Sequence, residues 1–287
     1  MKYRFIQENS HLYSVARMAR ILEVSVSGYY KYISRLSAPP TKKELDDIAL
    51  AEEIYSIFQH SRGSFGSRKI TYLINCNRSR RVNHKRIERL MQEYGLFSRV
   101  RRKYTITTDS NHDYPIADNL ISRDFRALMP NEKFVSDTTA IQTDEGTLYV
   151  AGILDLYGRM PVGFAMSKHN DQSLVMSALQ DMLQRRLGRP GSILHSDRGS
   201  TYSSETYRKM IENNGLVCSM SRKGDCWDNA PMESFWGKMK DEWLNRKYRT
   251  LREAMHDVYE YVWGFYPYDR PHESFGYATP AEYYNSY

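Results

Sequence analysis

Phe134-Val-Ser-Asp-Thr-Thr-Ala-Ile141, the turn Thr143-Asp-Glu-Gly146 and Thr147-Leu-Tyr-Val-Ala-Gly-Ile-Leu-Asp-Leu156 decide the fold of this 287-residue chain. Both long runs are rich in β-formers, and the segment between them carries the turn residues that separate two strands. Asp155-Leu-Tyr-Gly158 then turns into a third strand, Met160–Met166. The spacing predicts a helix over Gln172–Leu187, stopped by Gly188 and Pro190. After it come a brief strand, Ser192–Ser196, a helix, Ser204–Asn214, and a short strand, Leu216–Ser219. Helices over Asn229–Trp243 and Leu251–Phe265 complete the pattern. Short apolar strands alternating with helices indicate an α/β domain.

One residue does not belong in the first strand. Asp137 is a poor strand former in a run that otherwise suits a sheet. Asp197 falls just past a strand end in His195-Ser-Asp-Arg-Gly-Ser200, a usual place for functional groups in an α/β sheet. Glu233 falls in the first turns of a helix, with Lys240 two turns further on and able to share its face. Acidic residues are common, 34 in this chain, so the trio counts only through these contexts. Brought to one point, three carboxylates repel each other unless a cation lies between them. Hard divalent ions take oxygen ligands, and a pair of them can clamp both oxygens of a phosphoryl transfer.

The charge is divided along the chain. Residues 1–103 carry 21 Lys and Arg against 9 Asp and Glu, and the rest carry 20 against 25. An excess of twelve cations in the front half reads as a module for a polyanion, with nucleic acid the best candidate. Ser14–Leu22, a break at Glu23-Val-Ser25 and Ser27–Ser34 outline a helix-turn-helix, with Ser25 or Ser27 capping its second helix. Ser37-Ala-Pro-Pro-Thr41 breaks the chain into a linker. Beyond it lie helices over Leu45–Gln59, Arg68–Asn75 and His84–Tyr94, the last closed by Gly95. That last helix places Ile87, Leu90 and Met91 on one side and Lys85, Arg86 and Arg89 on another, as a DNA-reading element would. Arg99–Lys103 adds a basic run, and the domain boundary is placed in the polar segment after it. The expected division is therefore 1–40, a first helix-turn-helix; 41–103, a second basic one; 104–130, a linker; and 131–287, the α/β domain.

Other classes of protein are poorly supported. No apolar run reaches the roughly 18 residues of a membrane span. The N-terminus, Met-Lys-Tyr-Arg-Phe, lacks a signal-peptide pattern. Three cysteines without a C-x-x-C pair point away from a disulfide framework or zinc site and toward a reducing cytoplasm.

Several segments together resemble a known family. They are Val82-Asn-His-Lys-Arg-Ile-Glu-Arg-Leu-Met91, Pro130-Asn-Glu-Lys-Phe-Val-Ser-Asp137, His195-Ser-Asp-Arg-Gly-Ser200, Ser219-Met-Ser-Arg-Lys-Gly-Asp-Cys-Trp-Asp-Asn-Ala230 and Arg270-Pro-His272. In this order they are similar to the downstream-frame (OrfB) transposases of the insertion-sequence-three family. The resemblance covers nearly the whole chain, and 35 residues separate Asp197 from Glu233, as in a D,D(35)E site.

The resemblance implies a ribonuclease-H-like integrase core, a mixed central sheet flanked by helices and preceded by helix-turn-helix segments. It implies a DDE transposase in which Asp137, Asp197 and Glu233 are catalytic and hold two Mg²⁺ ions, which Mn²⁺ can replace. The substrates would be double-stranded DNA at the element's ends and in the target, with an oligomer at least dimeric and an upstream-frame (OrfA) product as partner. The location would be the bacterial cytoplasm, on the nucleoid. Lys240 and Arg198 would grip DNA near the site, with Arg222, Lys223, Lys85, Arg86, Arg89, Arg68 and Lys69 as further contacts. A structure-selective nuclease and a non-catalytic DNA-binding regulator are the alternatives. Tyr266-Pro-Tyr-Asp269 departs from the family's usual residues before Arg-Pro-His, which leaves the end of the preceding helix open.

Overall fold

The computed structural model of the chain describes residues 1–76, 78–98, 117–222 and 226–287, excluding the side chains of residues 226 and 227. The chain divides into two compact units, Met1–Glu53 and Ile54–Tyr287.

The first unit is helical. Helices α1 (Lys2–Asn9), α2 (Val15–Ile21) and α3 (Val26–Ser37) enclose Ile6, Met18, Ala19 and Tyr29. Ser14 caps α2 by accepting the Arg17 N–H, and Ser25 caps α3 by accepting the Gly28 N–H at 3.0 Å. The cap of the second helix is thus Ser25, and Ser27 lies inside it. Between the two helices Glu23 takes a left-handed φ of 53°, which makes the break sharp enough to fold α3 back. Helix α4 (Lys42–His60) opens on a reciprocal cap: Thr41 Oγ1 accepts the Glu44 N–H, and Glu44 accepts the Thr41 N–H at 2.7 Å. The division between the compact units falls within α4, and so cuts across the segment 41–103 read from sequence as one domain.

The second unit explains that difference. Helices α5 (Ser67–Cys76) and α6 (His84–Glu93) bury Ile70, Ile74, Ile87, Leu90 and Met91. The turn ahead of α5 is tied into the C-terminal helices rather than standing apart. Phe65 meets Phe265 at 5.6 Å, Arg62 pairs with Asp257 at 3.0 Å, and Tyr72 stacks on Tyr277. These apolar and paired side chains place the segment from Ile54 onward in the same compact unit as the sheet. The segment 99–116, which holds the basic run and most of the expected boundary, lies outside the described residues.

The sheet has five strands: β1 (Lys133–Thr143), β2 (Gly146–Asp155), β3 (Met160–Ser167), β4 (Ile193–Ser196) and β5 (Val217–Met220). Their order is β3-β2-β1-β4-β5. The first three form an antiparallel meander, while β4 and β5 run parallel to β1. Helix α7 (Gln172–Gln184) makes the crossover from β3 to β4, burying Leu174, Val175, Ala178, Leu179 and Met182 against the sheet. Asp171 caps it through the Leu174 N–H. Helix α8 (Glu205–Asn213) links β4 to β5. This is the ribonuclease-H-like arrangement.

Helices α9 (Ala230–Glu242), α10 (Leu251–Glu260) and α11 (Pro280–Tyr284) follow. After α10 the helix widens into a π-helical segment, Tyr261–Asp269, with Pro267 inside. A proline has no N–H to donate and crowds the preceding turn, and the wider π spacing is one way the helix absorbs it. The helix therefore runs past the Phe265 expected from sequence.

Candidate active site

Strand register brings the first two acids together. Ser136 pairs with Ser196 across parallel β1 and β4, so the next residues, Asp137 and Asp197, leave neighbouring strands at one level. The partner of Asp137 on β2 is Gly152, whose missing side chain lets Trp236 of the following helix, α9, pack close to this part of the sheet. Asp197 sits in a tight loop in which the Gly199 N–H donates to Asp197 Oδ1 at 2.9 Å. The third acid comes from α9, whose start is anchored to the same strand: Asn229 Nδ2 donates to the Ser136 carbonyl at 3.0 Å. Glu233 lies one turn on, exposed, in the first turn of α9.

The electrostatics register this convergence. Burial pushes the Asp137 carboxyl well above its ordinary range, and Asp197 and Glu233 push it further, against the pull of the Thr138 N–H. Burial also raises Glu233. Lys240, two turns along α9, is lowered by burial while Asp137 acts to keep it charged, so it lies within reach of that aspartate. Tyr202, buried beneath the site, hydrogen-bonds Ser136 Oγ at 3.1 Å and is raised by burial, by Tyr207, and then by Asp137 and Asp197.

The donor set is all oxygen and anionic, Asp197 and Glu233 work against the charge on Asp137, and Lys240 works in its favour. That is the chemistry of a site for hard divalent cations. The three are spread wider than a single close cluster. Among the described residues, the group whose ligand atoms all lie within 4.8 Å is His256, Asp257 and Glu260. There Asp257 is already held by Arg62, Arg246 and Tyr248.

Two segments of the chain match integrase core domain models, residues 127–226 and residues 214–280, and residues 44–104 match an HTH-like domain. The insertion element IS600 uncharacterized 31 kDa protein of Shigella sonnei is 38% identical, over 94% of this chain and 98% of its own. Transposase InsF for insertion sequence IS3A of Escherichia coli strain K12 is 32% identical over 99% of each chain. The chain belongs to the IS3-family transposases. Among solved structures, the HTLV-2 integrase catalytic core domain in complex with magnesium aligns with 55% of this chain and 99% of its own, at 12% identity and a TM-score of 0.44.

Within this transposase chain, the expected DNA contacts fall into different surroundings. Arg198 donates from Nε to the Ser221 carbonyl, which ties the Asp197 loop to the end of β5. Arg222 is 58% exposed; its N–H donates to buried Asp228 at 3.0 Å and its guanidinium stands 3.7 Å away. Burial works against the Asp228 charge, yet that N–H and the guanidinium of Arg123 keep the carboxyl below its usual range. On α6, Lys85 and Arg89 are exposed and Arg86 is half-buried, with Arg89 bridged to Glu93 at 2.9 Å. Arg68 is exposed. Lys69 is not an outward cation: it is 14% exposed, 3.7 Å from Glu242, and lies over the Phe65 ring. Burial, with Arg270 nearby, lowers it to about 8. Lys223 lies outside the described residues.

Sequence reasoning missed Asn229, Trp236 and His195. Trp236 is one turn after Glu233, and its buried indole N–H makes no hydrogen bond of normal geometry, yet lies close enough to Asp137 to favour the ionised form. His195 is buried between Ser219 and Ser221, at 2.8 and 3.1 Å, and burial lowers it to about 4, so it is a neutral strut. Only Asn229 and Trp236 carried a usable signal, being a cap-position residue and an i+3 neighbour of Glu233.

Proposed function

We propose that this chain is a DDE transposase that cleaves DNA at the ends of its insertion sequence and joins them to target DNA. The observation that carries the reading is the meeting of Asp137, Asp197 and Glu233 through the Ser136–Ser196 register and the Asn229 anchor. The three carboxylates would hold Mg²⁺, which Mn²⁺ can replace, and their spread suits a pair of ions. Ions bound there would activate the attacking oxygen and stabilise the leaving one. The chain's own groups do the rest. Asp137 and Asp197, fixed by the sheet, set one side of the site, and Glu233 closes it from α9. Lys240 supplies a cation that a phosphate can approach. Trp236 and the floor of β1 and β2 keep water away from Asp137.

Joining two ends in one event calls for at least two copies on DNA, and an upstream-frame product is the natural further partner. No helix among the described residues is long and apolar enough to cross a membrane.

The test is a strand-transfer assay on duplexes bearing the element's ends, run with Mg²⁺ and with Glu233→Gln alongside. The parent forms joined products and the variant falls by at least about a thousandfold while still binding DNA. Equal activity in both would remove Glu233 from the site. Binding without any product in the parent would favour the regulator, and cleavage without joining would favour the nuclease.

A further inference from the structure

A second charged cavity lies on another side of α9. It encloses about 220 Å³ and is lined by Arg159, Ser234, Lys238, His272 and the rings of Phe235 and Tyr266. Neighbouring residues of one helix point about 100° apart, so α9 offers Glu233 and Lys240 to the carboxylate cluster and Ser234 and Lys238 to this cavity. We propose that this cavity binds a phosphodiester of the DNA backbone, gripped by Arg159, Lys238 and His272. The DNA identity of the ligand rests on the transposase reading.

Four observations support an anion here. Arg159 is half-buried and makes no hydrogen bond or ion pair with any described residue. It also takes a left-handed φ of 54° in the turn between β2 and β3, a conformation that an arginine adopts rarely and that aims its side chain from a fixed point. His272 Nδ1 is buried without a partner, so the Nδ1–H tautomer has a donor to offer.

The third observation is the charge balance. Arg270 is committed to Glu242 through two bonds of 2.6 Å, and Lys69 shares the same carboxylate. Arg159 and Lys238 add further positive charge to the same neighbourhood. The imidazole feels the whole group: burial first, then Lys238, Arg270, Arg159 and Lys69, lower it to about 3. Fourth, Ala230 and Pro231 in the first turn of α9 line the cavity, and that helix start has no side-chain cap. The positive end of the helix dipole therefore adds to the same potential.

The decisive variant is Arg159→Gly. Glycine suits a φ of 54°, so the guanidinium is removed while the backbone is relieved. Lys238→Gln on a helix face gives an independent second variant, and Arg159→Lys keeps the charge. Duplex binding by the full chain is measured across a salt series, and melting is followed against inorganic phosphate. Each of the two neutralising variants is expected to make the log–log salt slope shallower by about 0.9, the share of one phosphate contact. Each is also expected to lose the phosphate-induced rise in melting temperature that the parent shows, while Arg159→Lys retains both. An unchanged slope in both variants overturns the proposal. A lost phosphate effect with an unchanged slope assigns the cavity to a free anion and overturns the DNA contact. In either of those cases normal strand transfer by the parent would leave the transposase reading standing.

Discussion

Two groups of acids sit at opposite ends of the same helix and are treated in opposite ways. At the C-terminal end of α9, Glu242 receives both arms of Arg270 and the ammonium of Lys69, and nearby Asp257 receives Arg62, Arg246 and the Tyr248 hydroxyl. Burial would raise both carboxyls, but these donors hold them below the ordinary range. At the N-terminal end, Asp137 and Glu233 are raised, and Lys240 faces Asp137. A carboxylate cluster that the fold neutralises is a brace. One whose carboxyls burial and their neighbours push up, as at Asp137, is prepared for positive charge from outside.

The strongest way to break this comparison is to neutralise one acid at each end. Glu242→Gln leaves Arg270, itself 4% exposed, as a buried cation without its carboxylate, and should cost about 3–5 kcal/mol. Asp137→Asn should move the other way and stabilise the chain by about 1 kcal/mol in EDTA, because a repelled, desolvated charge is gone. Urea unfolding of both variants without divalent ions decides the matter. Parallel losses would mean that the triad is held together by the fold after all.

Asp155 sharpens the contrast by lying between the two cases. It is fully buried and accepts from the Asn131 N–H at 2.6 Å, the Tyr157 N–H at 2.9 Å and the Tyr284 hydroxyl at 3.2 Å, all neutral donors. Burial outweighs them and pushes it up to about 6. The folded chain then holds this proton more tightly than the unfolded one between about pH 4 and 6. Stability should fall by about 2–3 kcal/mol as pH rises through that window and then level off. The reference is Asp155→Asn, which cannot titrate, so the difference between the two chains at pH 4, 5, 6 and 7 isolates the group. A difference that is flat with pH would show that neutral donors suffice.

Much of this architecture was legible in the sequence because it is local. The β-former runs of β1 and β2, the glycine-bearing turn between them and the cap of α3, narrowed to Ser25 or Ser27, each depend on residues a few positions apart. The unusual placement of Asp137 was legible for the same reason. What escaped depends on partners far along the chain. Lys69 reads as one more cation on a basic helix until Glu242 folds against it. Helix α1 has no side-chain cap and only Ile6 fully buried, so packing rather than propensity secures it. The extension through Pro267 is visible only as a π-helical segment braced by Phe65, Phe235 and Trp243, which surround its aromatic residues. The register that joins Asp137 to Asp197 is likewise a property of the sheet.

The smallest expected effect tests whether the seating of α9 matters as much as its carboxylate. Gly152 lies opposite Asp137, and a Cβ there would stand 2.8 Å from Trp236 Cη2 and 3.0 Å from Cζ2. The indole is 5% exposed and packed against that glycine, so a side chain there has to displace it or the helix that carries it. Gly152→Ala should therefore cost about 1–2 kcal/mol, typical of modest overpacking. Strand transfer should fall by more than that loss implies, because Glu233 rides on the same turn as Trp236 and a small misplacement of a reacting group is costly. The pair of measurements separates two roles for one contact. If activity falls only in step with the folded fraction, Trp236 merely fills space. If it falls further, the absent side chain at Gly152 is what allows α9 to close on Asp137.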